Sequence, residues 1–129
     1  VSDLLARLQA LAFARAPLAD ANDAIARARE DRAGGGQPAV SYEAALPALD
    51  PEHHLTHRLL PRLVYFLDCR GARLPAASGV FVSLFTPGGL LFIDAGTLVV
   101  ALAAERGLAL AELVRRYGQA GAGDPPLLS

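Results

Sequence analysis

The chain of 129 residues contains no Lys, Met or Trp, a single Cys and only eight Phe and Tyr. Each scarcity excludes something. Cys69 stands alone, so there is no internal disulfide, and a Cys-rich zinc site is ruled out. All twelve basic residues are Arg, set against thirteen acidic ones, for a net charge of −1 and a pI near 6.3. That balance gives no basic footprint for nucleic acid or an anionic membrane. No apolar run approaches the roughly 18 residues that span a bilayer. The Val1 start lacks a basic stretch followed by a long apolar one, so no signal peptide is expected, and the missing initiator Met suggests an excised fragment.

What is present is a hydrophobic content of 53% with twelve Gly and nine Pro, which suits a globular chain with one core. Ser2 caps an expected helix over 3–16 that Pro17 ends. A second helix is expected over 21–32, with an apolar face of Ala and a single Ile25. Gly34-Gly35-Gly36-Gln37-Pro38 reads as a joint, with an extended tendency over 40–43. Asp50-Pro51-Glu52 is a helix start, and that helix is expected to stop before Pro61.

Residues 62–102 read as a β-meander of about four strands. Arg62 to Asp68 (RLVYFLD) and Gly79 to Phe85 (GVFVSLF) are apolar on both faces. Thr86-Pro87-Gly88-Gly89 is a turn in which Gly88 would take the positive φ of a type II turn. Leu90 to Ile93 follows, then Asp94-Ala95-Gly96 as a second turn, then Thr97 to Leu102 with two adjacent valines. A helix Leu108–Tyr117 closed by Gly118 completes the reading. The expected organisation is a helical segment 1–33, a linker 34–49, an α+β core 50–118 and a flexible tail 119–129. The fold class is α+β, an antiparallel meander with flanking helices, intertwined or edge-paired as a homodimer. The expected dimer interface is Val64, Phe66, Val80, Val82, Leu84, Phe92, Leu98 and Val100, and the structural turn residues are Pro87, Gly88, Asp94 and Gly96. The reason is that two-faced strands and open sheet edges need a cover.

The ordered set Thr86, Pro87, Gly89, Asp94, Gly96, Thr97, Leu98, Val99, Ala101 and Leu102, with Ser83-Leu84 upstream, resembles the C-terminal region of the alphaherpesvirus infected cell protein zero family. Those proteins are immediate-early RING-type E3 ubiquitin ligases and transactivators. The resemblance covers 83–102 well, 46–82 weakly and 1–45 not at all. It implies a non-catalytic domain for homodimerisation and nuclear-body targeting in the host nucleus, where the full protein counteracts antiviral defences. Its partners would be a second copy and host nuclear-body proteins. Zinc would belong only to a RING outside this chain, and no cofactor is expected here. The Ala, Leu, Gly, Pro and Arg bias fits the GC-rich genome of such a source, and equally of high-GC bacteria.

Other chemistry is weaker. His53 and His57 lie four apart, with His54 between them and Glu52 or Asp50 nearby, but no further His exists to close a metal site. Cys69 between Asp68 and Arg70 has the neighbours of an activated thiol but no adjacent base. Gly34-Gly35-Gly36 and Gly88-Gly89 lack the Lys-Ser/Thr of a P-loop. Residues 103–116 have the spacing of a helix-turn-helix, with Gly107 at the turn and Arg115-Arg116 beyond it. Ala109 stands where a cap is wanted. The alternative function is therefore a DNA-binding regulator domain from a high-GC bacterium.

Overall fold

The computed structural model describes residues 3–33, 40–45, 51–71 and 78–119. Its elements are α1 (Asp3–Leu11), β1 (Ala14–Ala16), α2 (Ala21–Ala33), β2 (Val40–Ala45), α3 (Pro51–His53), a π-helical segment (His54–Leu59), α4 (Leu60–Cys69), β3 (Val80–Thr86), β4 (Gly89–Asp94), α5 (Ala95–Arg106) and α6 (Leu110–Tyr117). The fold is α+β. One sheet runs in the order β1-β4-β3-β2, with β1–β4 and β3–β4 antiparallel and β2–β3 parallel.

Strand alternation builds two cores. Val80, Val82 and Leu84 of β3, with Leu91 and Ile93 of β4, face α1, α4, α5 and α6, whose contributions include Leu8, Leu63, Leu98 and Leu113. The opposite face carries Phe81, Leu90 and Phe92 and is covered by Ala24, Ile25 and Ala28 of α2. These α2 side chains pack in one buried cluster with the aromatic rings. Phe13 sits against that cluster, its ring centroid 6.0 Å from Phe81 and 6.3 Å from Phe92. Burying one such side chain stabilises by about 1.5–3 kcal/mol.

Several expectations are corrected. Residues 62–68 are helical, within α4. Leu60, Leu63, Val64 and Leu67 are all buried and fall at i, i+3, i+4 and i+7, a helical stripe. Pro61 does not stop the helix. The Leu60 amide donates to Leu55 O, the i→i−5 bond of the π segment just before it. Proline inside a helix removes a donor and crowds the carbonyl four residues back, and the wider π turn sits where that crowding falls. Residues 97–102 are also helical, within α5, so only β3 and β4 of the expected meander are strands.

Asp94-Ala95-Gly96 is therefore a helix start and not a hairpin turn. Asp94 is the N-cap of α5, its carboxylate accepting the Thr97 amide at 3.2 Å. Gly96 lies in the first helical turn, and its amide donates to Ser78 Oγ at 3.3 Å. At the β3–β4 turn, positive φ falls on Gly89 (131°) and not on Gly88. A Cβ at Gly89 would meet Ala16 O at 2.9 Å, because β1 pairs alongside. Pro87 is exposed at the turn, and Thr86 Oγ1 donates to Gly89 O at 2.6 Å.

The N-terminal helix is shorter than expected. It ends at Leu11, and 14–16 forms β1 on the edge of the sheet. The expected linker 34–49 contains β2, which pairs along its length with β3 from Val40↔Val80 to Ala45↔Phe85. A parallel pair needs a long crossover, and α3, the π segment and α4 supply it. Of the expected tail, Gln119 is held by a hydrogen bond from its amide to Asp68 Oδ2 at 2.7 Å, and 120–129 lie outside the described residues.

Candidate interaction surface

The covered sheet changes what the expected interface residues do. Val64, Val80, Val82, Leu84 and Leu98 are buried in the larger core and Phe92 in the smaller. Their second faces are satisfied within one chain. Phe66 is half-buried, with the Arg70 guanidinium 5.6 Å from its ring centroid. Val100 opens on a surface groove.

That groove has a volume of about 340 Å³ and is lined by Leu11 from the end of α1 and by Thr97, Val100, Ala101 and Ala104 from α5. The four α5 residues fall at i, i+3, i+4 and i+7, one stripe along the helix. The opposite stripe, Ala95, Leu98, Val99, Leu102 and Ala103, enters the core, so α5 has an apolar face on both sides. Leu11 is 42% exposed, which leaves a large apolar side chain on the surface at the groove. The Arg7–Glu105 ion pair joins α1 to α5. Sequence reading missed this surface because 97–102 was read as a strand. The signal was present as small and apolar residues at helical spacing.

The histidines sit on the α3–π segment. His53 and His57 are stacked, with ring centroids 4.5 Å apart. His54 is partly buried, and its pKa lies below the ordinary value through burial, then through the charges of Arg62, Arg58 and His53. Among the described residues no group of three or more His, Cys, Asp and Glu is placed to hold a metal, and Asp50 lies outside them. Cys69 is exposed at the C-terminal end of α4, a helix end where a strand end was expected. Its hydrogen bond with Tyr65 raises the tyrosine pKa.

Residues 95–117 do form a helix, a three-residue turn and a helix. Gly107 at φ 66° closes α5, its amide donating to Ala103 O and Ala104 O. As expected, Ala109 gives α6 no side-chain cap. Arg115 and Arg116 both pair with Glu112, so part of their charge is neutralised on the helix itself. Arg106 reaches Thr56 O and Tyr117 Oη, both at 3.4 Å, tying α5, α6 and the π segment together and lowering the Tyr117 pKa. Among the described residues no helix is long and apolar enough to cross a membrane. Comparison with protein-family models, curated proteins and solved structures finds no match to this chain.

Proposed function

We propose that this chain is a non-catalytic interaction domain that homodimerises through the outer stripe of α5. The observation that carries the reading is the groove of Leu11, Thr97, Val100, Ala101 and Ala104. Small side chains let two helices approach closely, and a second α5 is the complementary surface that two-fold symmetry offers. The second face of the β3–β4 pair is covered by α2 and offers no dimer surface.

The resemblance of 83–102 to the infected cell protein zero family points the same way. On that reading the domain would target host nuclear-body proteins in the nucleus, and ubiquitin-ligase activity would reside in a RING outside this chain. The test is a light-scattering mass at micromolar concentration. A dimer mass is expected, falling to the monomer in Ala104→Glu, an exposed position whose change leaves the fold intact. A monomer at every concentration would refute the reading.

The second reading is a helix-turn-helix DNA binder, favoured by α5, Gly107 and α6 packed on α4. Salt-dependent retardation of duplex DNA, lost in Arg115→Gln/Arg116→Gln, would put it ahead.

A further inference from the structure

The side of the 51–69 helical rod that carries His53 and His57 has a different character from the α5 stripe. A cavity of about 420 Å³ opens there, lined by His53, His57, Arg58, Pro61 and Arg62. That volume is within the range of small-molecule sites, about 300–1,000 Å³. Among the described residues its charged lining is entirely basic or protonatable, with no carboxylate.

The two arginines differ from five others of the chain, which have partners. Arg7 pairs with Glu105, Arg115 and Arg116 with Glu112, Arg15 with Gln9 O, and Arg106 with Thr56 O and Tyr117. Arg58 and Arg62 make no ion pair or hydrogen bond among the described residues. They lie four residues apart, where like charges on a helix repel. An anion between them would turn that repulsion into two charge-assisted hydrogen bonds, and guanidinium groups match tetrahedral oxyanions in fork geometry. Two of the lining residues, His57 and Arg58, belong to the π-helical segment His54–Leu59. Such segments are rare and occur frequently at functional sites.

We infer that this cavity binds a phosphate-class oxyanion, held by Arg58 and Arg62 with His53 and His57 beside it. The ligand's phosphate is the recognised chemistry, whether free or as a small monoester. The site shares no lining residue with the α5 groove.

The test is amide NMR of the intact chain titrated with inorganic phosphate, and separately with phenyl phosphate, against chloride at equal ionic strength. Saturable shifts confined to residues 53–62 are expected, with a dissociation constant in the millimolar range or tighter. Arg58→Gln and Arg62→Gln should each weaken binding by about tenfold, the usual worth of one charge-assisted bond. Arg58→Lys should lose less, and Arg27→Gln on α2 should change nothing. Tighter binding of phenyl phosphate assigns a monoester, and equal binding assigns the free anion. Shifts that never saturate, or an unchanged constant in Arg58→Gln/Arg62→Gln with its amide spectrum still folded, would overturn the site.

Discussion

Asp94 and Ser78 face each other across the entry to α5. The Asp94 carboxylate accepts the Ser78 amide at 3.2 Å to each oxygen and the Ser78 hydroxyl at 3.3 Å, while it also caps Thr97. Ser78 in turn accepts the Gly96 amide. Two residues thus tie the approach to β3, the end of β4 and the first turn of α5 into one joint.

Asp94→Ala should lower stability by about 1–2 kcal/mol, the usual cost of losing an N-cap. Asp94→Asn retains an acceptor and should cost less. Urea denaturation midpoints of the two variants check this. Equal, negligible shifts would mean that the joint contributes nothing.

Gly89 and Gly88 are adjacent yet should respond differently. Gly89→Ala places a Cβ against the Ala16 carbonyl at a positive φ and should cost about 1–3 kcal/mol. At Gly88 the nearest atom is Thr86 Oγ1 at 4.0 Å, so Gly88→Ala should be nearly neutral. Thermal melts of both variants separate these outcomes. A larger loss at Gly88 would place the strained residue wrongly.

Gly118 has ordinary φ, and its need for glycine is purely steric. A Cβ there would press on Val114 O and lie 2.8 Å from Asp68 Oδ2, beside the bond from the Gln119 amide. Gly118→Ala should cost about 1–3 kcal/mol, as other overpacked sites do. Amide exchange at Gln119 should quicken in parallel with the loss in stability.

The His54 pKa lies below its ordinary 6.5. The unfolded chain therefore binds this proton more readily than the folded one. The His54 contribution leaves stability unchanged well above pH 6.5 and lowers it as pH drops through that value. NMR titration should give a His54 midpoint below 6.5. Arg62→Gln should raise it only in part, because burial is the larger cause. A midpoint at or above 6.5 in the parent chain would contradict this.

Several elements were legible in the sequence for physical reasons. Val80–Thr86 and Gly89–Asp94 were visible as short apolar runs around a Pro-Gly turn, and α2 and α6 lay close to their expected bounds. The misreadings share one cause. RLVYFLD and TLVVAL are short apolar runs whose periodicity suits a strand or a buried helix equally. Pro61 and the paired valines then tipped both toward strand. The deciding signals were local. Asp94 before an apolar helical stripe is a helix-start pattern, and Leu60, Leu63, Val64 and Leu67 already spelled a helical face. β1 has three residues and no alternation to read. The candidate surface on α5 was hidden behind the same strand assignment. The arginine pair at 58 and 62 was visible as letters, but not as unpaired charges beside one cavity.

The parallel β2–β3 pairing has a kinetic consequence. Val40 pairs with Val80, and the whole 51–69 rod lies between them in sequence. Contacts so distant in sequence carry a loop-closure cost before they yield any stabilisation. The β3–β4 hairpin and the α5 helix that Asp94 starts are local and can assemble first. The β2 edge would then join a preformed template late in folding. Until it does, β3 presents an open strand to neighbouring chains, which makes the slow step of folding also the step most exposed to aggregation.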